Sequence, residues 1–143
     1  MRTRQIIILT SILLILILSG CQEIVKGDPV GNNSVSLDDN FIIERDGNFS
    51  QEDCLQKGLG SEVLFIGSKY CGHCTETKPH FIKACDEANI TPTILDLSLK
   101  DDANQVKKYS IEVRYTPTII IGCNYYVGEK TEKEYVKFLD RLI

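Results

Sequence analysis

The hydrophobic pattern divides the chain into three stretches. Ile6 to Leu18 is an apolar run broken only by Thr10 and Ser11, with Arg2 and Arg4 ahead of it. Its ~13 residues suit the apolar region of a signal peptide and fall short of the ~20 that span a bilayer. Gln22 to Asn40 carries Gly27, Pro29, Gly31, Asn32, Asn33 and Ser34 with little apolar periodicity. Such a stretch cannot bury a face and reads as a flexible tether with a reach of roughly 25 Å. The expected organisation is therefore a leader over 1–20, a tether over 21–40 and one folded domain over 41–143.

Within 41–143 strand and helix patterns alternate. Phe41 to Ile43 predicts a short strand, followed by a turn at Asp46-Gly47. Ser50 can cap a helix running through Lys57 and closed by Gly58 and Gly60. Val63 to Ile66 is a continuous apolar run of strand length, the pattern of a central strand buried on both faces. A long helix is expected from Cys71 to Asn89, with Phe81, Cys85 and Ala88 on one side. Thr93 to Leu97 predicts another strand, and Asp101 to Tyr109 a helix with acidic residues in its first turn. Thr118 to Ile121 and Tyr125 to Val127 flank Gly122-Cys123-Asn124 as a β-hairpin. Thr131 and Glu134 have the spacing of a capping box, and Tyr135, Phe138, Leu139 and Leu142 give the last helix an apolar face. The fold class is α/β, a mixed central sheet flanked by helices on both faces.

Composition adds an address. Six cysteines in 143 residues must be explained, and a formal charge of -4 argues against a nucleic-acid partner. The apolar run ends in Leu18-Ser19-Gly20-Cys21, which resembles the lipobox of prokaryotic lipoproteins. In that reading the leader is removed and Cys21 carries a lipid; the alternative is an uncleaved anchor with an incidental cysteine. Both carry the domain to the extracytoplasmic side of a membrane in the cell envelope, where disulfides persist. Loss of Arg2 and Arg4 leaves the mature chain still more acidic, so a lipid anchor rather than basic attraction would hold it.

The chemistry points to Cys71-Gly72-His73-Cys74. Two thiols at this spacing close a small disulfide ring. Placed between a buried strand and the start of a helix, the first thiol meets unpaired N–H groups that favour its thiolate. Cys71 is the candidate nucleophile and Cys74 the thiol that resolves a mixed disulfide.

These residues and others resemble the thioredoxin superfamily. Tyr70-Cys71-Gly72-His73-Cys74 matches the family's aromatic-Cys-x-x-Cys, and Pro79 matches the proline of its active-site helix. Tyr115-Thr116-Pro117-Thr118 resembles the cis-proline loop, and Val127-Gly128 with Phe138-Leu139-Asp140 the last strand and helix. The resemblance covers residues 41–143 and implies a thioredoxin-like fold and thiol–disulfide exchange with protein substrates. It also implies a membrane or envelope redox partner and no organic cofactor or metal. Thr116 and a cis Pro117 would then hold the substrate chain beside Cys71, Tyr70 would pack against and shield the thiols, and Pro79 would kink the helix. The domain is expected to act as a monomer.

Two positions depart from thioredoxins. Their buried acid, six residues before the first cysteine, is here Phe65, so water or another group must take the proton of Cys74. Gly72-His73 replaces Gly-Pro and matches protein disulfide isomerases, whose potentials lie ~90 mV higher, roughly 4 kcal/mol for two electrons. His73 can stabilise the thiolate and make the disulfide a better oxidant, or be a solvated residue of little effect.

Cys54, Cys85 and Cys123 remain. Cys85 sits on the apolar side of the long helix as a buried, inert thiol. Cys54 and Cys123, both expected away from the redox end, are the favoured structural disulfide, with Cys85–Cys123 as the alternative. A rival function is soft-metal binding, zinc or copper(I), by Cys71, Cys74, His73 and His80. A second CxxC is missing, and His80 lies two helical turns from Cys71. A non-catalytic binding scaffold is the remaining alternative.

Overall fold

The computed structural model describes residues 40–142. The expected leader, Cys21 and the tether up to residue 39 lie outside the described residues.

Eleven elements follow one another: β1 (Phe41–Ile43), β2 (Gly47–Asn48), α1 (Gln51–Gln56), β3 (Val63–Gly67), α2 (Gly72–Glu87), β4 (Thr93–Asp96), α3 (Lys100–Lys108), β5 (Ile111–Val113), β6 (Thr118–Ile121), β7 (Asn124–Val127) and α4 (Glu132–Leu139). The main sheet has five strands in the order β2-β7-β6-β3-β4. It is mixed: β3 runs parallel to β4 and antiparallel to β6, and β7 runs antiparallel to both β6 and β2.

β3 is buried along its whole length, as its unbroken apolar run predicts. Because side chains alternate across a strand, it feeds two cores. Val63 and Phe65 join Ile119, Ile121, Phe81, Tyr135 and Leu139 under α2 and α4. Leu64 and Ile66 join Ile120, Leu95, Val106, Ile43 and Cys54 on the opposite face, under α1 and α3. The α/β sandwich covered on both faces is thus the observed architecture.

Helix ends follow the capping residues. Ser50 Oγ accepts the Asp53 N–H at 3.0 Å, and the Thr131–Glu134 capping box is complete; such caps contribute about 1 kcal/mol each. α2 begins at Gly72, with Cys71 as its cap rather than its first helical residue, and ends at Glu87. The β6–β7 turn is made by Gly122 and Cys123. Gly122 has φ +56°, and a Cβ there would stand 3.2 Å from the Gly60 carbonyl oxygen.

One expectation is corrected and one pairing is new. Gly47, expected in a turn, begins β2, which pairs with Tyr125 and Asn124. The Tyr125 ring lies over it, with the hydroxyl 2.6 Å from where a Cβ would stand, so a larger residue there would displace that ring. β1 does not enter the main sheet. It pairs in parallel with Ile111–Val113, a strand the sequence pattern did not single out.

The remaining cysteines separate cleanly. Cys54 and Cys123 are disulfide-bonded with Cα atoms 5.3 Å apart, tying α1 to the β6–β7 turn. Cys85 is a buried free thiol. The register puts the structural disulfide at the far end of the sheet: Ile121 faces Val63, whereas Thr118 faces Ile66 beside the CxxC segment.

Candidate active site

The site is built on the turn from β3 into α2. The Cys71 N–H donates to the Ser68 carbonyl at 3.0 Å, and the Tyr70 N–H approaches Ser68 Oγ at 3.3 Å. The Lys69 N–H donates to Asp96 Oδ1 at 3.2 Å, pinning the turn to the end of β4. A turn held from two strands presents Cys71 at a fixed angle to the start of the helix.

Cys71 and Cys74 form a disulfide across the first turn of α2. As the cap residue, Cys71 receives at its sulfur the Cys74 N–H, 3.1 Å away. A backbone donor aimed at sulfur, at the positive end of a 16-residue helix, favours the thiolate once the bond is reduced. Cys71 is partly exposed, whereas Cys74 is 6% exposed. The pair is therefore asymmetric, with one sulfur open to attack and one beneath it.

Facing Cys71 is the loop before β6. The Thr116–Pro117 peptide is cis, and Pro117 is buried. The Thr116 carbonyl oxygen lies 3.3 Å from Cys71 Sγ. The loop is fixed from below, where Thr118 Oγ1 donates to the Tyr115 carbonyl at 2.7 Å and the Gly128 N–H donates to the Pro117 carbonyl at 2.8 Å. Sequence positions 71, 74, 116 and 117 are thus brought together.

Gly72 is exposed, with open space where a Cβ would go. His73 is 74% exposed and its Nδ1 lies 3.3 Å from Glu129 Oε2. Glu129 belongs to the turn between β7 and α4, and nothing in its local sequence marked it. Tyr70 corrects an expectation. It is 82% exposed and does not shield the thiols, because the turn directs its ring outward with Lys69 Nζ 4.9 Å from the centroid. Tyr115 is likewise 61% exposed, so an aromatic residue precedes each half of the site.

The metal alternative finds little in this arrangement. His80 Nδ1 faces Glu132 at 3.9 Å. Among the described residues no group of three or more His, Cys, Asp or Glu side chains converges as a metal site would need.

Beneath Cys74, Phe65 is 1% exposed and packs against Phe81 with ring centroids 5.6 Å apart. Gly67 gives Cys74 its room: a Cβ on Gly67 would lie 3.3 Å from Cys74 Sγ and 3.0 Å from the Phe65 ring edge. Farther along α2, burial pushes the Cys85 thiol up to about 12. Eleven residues of helix, roughly 16 Å of rise, separate it from Cys74. It takes no part in the site.

No protein-family model matches the chain, and no curated protein matches it.

Proposed function

We propose that this protein is a thioredoxin-like, extracytoplasmic thiol–disulfide oxidoreductase, held to a membrane by a lipid on Cys21. One observation carries the reading: a partly exposed Cys71 capping α2, bonded to a buried Cys74 and facing the cis Thr116–Pro117 loop 3.3 Å away. Substrates are protein thiols and disulfides, with an envelope redox partner restoring the pair.

In the reducing direction the Cys71 thiolate attacks a substrate disulfide. One substrate sulfur leaves as a thiolate and takes up a proton, and the other is held in a mixed disulfide. Cys74, after losing its proton, attacks Cys71 Sγ; the mixed disulfide breaks, the second substrate thiolate leaves, and the Cys71–Cys74 bond forms. Two electrons pass from the dithiol to the substrate. The oxidising direction is the reverse sequence. Thr116 presents its backbone to an extended substrate segment, and exposed Tyr70 and Tyr115 supply apolar contact on either side.

The experiment is capture. Cys74→Ser should stall at the mixed disulfide and retain partner proteins through a bond that dithiothreitol releases. Cys71→Ser should abolish insulin reduction and dithiol oxidation; full activity of that variant would remove the proposal. Mass spectrometry of the membrane-extracted protein tests the anchor, which requires an N-terminal lipid-modified Cys21.

A further inference from the structure

Resolution requires Cys74 to lose a proton although it is 6% exposed and, among the described residues, no buried carboxyl accompanies it. The position is apolar from both strands, because Phe65 on β3 is paired in register with Ile94 on β4. Yet Cys74 is not sealed in. It lies on the floor of a groove of about 610 Å³ between α2 and β4, walled by Phe65, Gly67, Pro79, Ile82 and Ile94. Gly67 keeps this wall open, since any Cβ there would crowd Cys74 Sγ.

The charged groups facing the groove are Lys69 on the turn, Lys78, Lys83 and Asp86 on α2, and Asp96 on β4. Asp96 is a poor base. Hydrogen bonds from the Ser98 hydroxyl and N–H, with the Lys69 N–H, hold its carboxyl below the usual range. Lys83 is engaged with Glu132 at 2.7 Å. Asp86 stands twelve residues beyond Cys74, roughly 18 Å of helix rise away. Lys78 is different: it is partly buried and lies four residues after Cys74, on the same side of the helix.

We infer that the α2–β4 groove is the proton exit of the resolving thiol: water entering it takes the Cys74 proton, and Lys78 stabilises the thiolate left behind. The inference deepens the proposed exchange reaction and rests on it. Chemically, the S–H bond of Cys74 breaks to hydrated proton and thiolate. The thiolate then displaces the substrate sulfur from Cys71, and that leaving thiolate is reprotonated by solvent. No further oxidant or reductant is needed. Lys78 is a positioning charge rather than a catalytic residue, because it touches neither substrate nor the breaking S–S bond. Lys78 is partly buried at the edge of this groove, and a charge partly withdrawn from water acts more strongly on a thiolate than a fully solvated one.

The test uses the reduced protein and a bis(nitrobenzoate) disulfide, whose thiolate is released once when Cys71 attacks and again when Cys74 resolves. Ile82→Trp fills the groove and Lys78→Glu reverses its charge. Both should leave the first release unchanged and slow the second roughly tenfold, about 1.4 kcal/mol of barrier. Lys78→Arg should restore the second rate. An unchanged first release also reports that each variant is folded around Cys71. A second release at the parent rate in both variants overturns the groove as proton exit. A parent protein lacking the first release overturns the exchange reaction itself, a separate result.

Discussion

His73 Nδ1 lies 3.3 Å from Glu129 Oε2, so the histidine between Cys71 and Cys74 faces a carboxylate from the turn before α4. When the imidazole is charged, this partner offsets part of the field that would otherwise stabilise the Cys71 thiolate. Glu129→Gln should therefore make the disulfide more oxidising. Both side chains are more than half exposed, which limits such a pair to 0–1 kcal/mol and the shift to the order of 10 mV. Equilibration with glutathione measures it. The shift should vanish in a His73→Ala background, since the cycle isolates the pair. Equal shifts in both backgrounds would mean that Glu129 acts independently of His73.

The contrast between His73 and its partner shows what the sequence could disclose. The Cys71–Cys74 disulfide, its helix and the cis Pro117 were legible because each is written locally, as a CxxC after an apolar run, a capping position or a Thr-Pro dipeptide. Glu129 was not, because it meets His73 only through the packing of α2 against α4. β5 was hidden for a similar reason. Its three residues, Ile111 to Val113, gain strand character only from β1, about seventy positions earlier. Tyr70 was misjudged because type suggests packing, whereas the Ser68–Cys71 turn decides where the ring points.

The Cys54–Cys123 bond spans 69 residues of sequence, and closing a loop of that length removes about 4 kcal/mol of unfolded-state entropy. A Cys54→Ala, Cys123→Ala double variant should therefore unfold at markedly lower denaturant. Its Cys71–Cys74 potential should stay unchanged, because the two disulfides lie at opposite ends of β3 and β6. Denaturation curves and glutathione equilibration of the same sample check both parts. A shifted potential would show that the two bonds are coupled.

Alkaline pH should weaken the fold through two buried groups. Burial raises the Cys85 thiol from its ordinary 9.0 to about 12, and it raises the Tyr135 phenol above its ordinary 10.0. Between pH 9 and 12 the unfolded chain sheds protons that the folded chain retains, so stability falls as pH rises. Each group contributes up to about 1.4 kcal/mol per pH unit. Cys85→Ala should flatten the part of the decline that begins near pH 9 and leave the part due to Tyr135. Native Cys85 should also resist iodoacetamide until the protein is unfolded. Rapid alkylation of the folded protein would contradict its burial.

Thr118 offers a test of how the proposed substrate loop is held. Its side chain is fully buried, and Oγ1 donates to the Tyr115 carbonyl at 2.7 Å. The bond fastens the first residue of β6 to the segment that carries Thr116 and Pro117. Thr118→Val keeps the volume, removes the donor and leaves the Tyr115 carbonyl without it, at a cost of about 1 kcal/mol. Cys71 and Cys74 are untouched by the change. Reaction with a small aromatic disulfide should therefore proceed at the parent rate, since such a reagent needs only the thiolate. In the proposed reaction a protein disulfide pairs with the Thr116 backbone beside Cys71, so kcat/KM for such a substrate should fall several-fold, mainly through KM. Thr118→Ser, which retains the donor, should recover most of it. Equal losses with both substrates would instead place the effect on the thiols and remove Thr118 from substrate positioning.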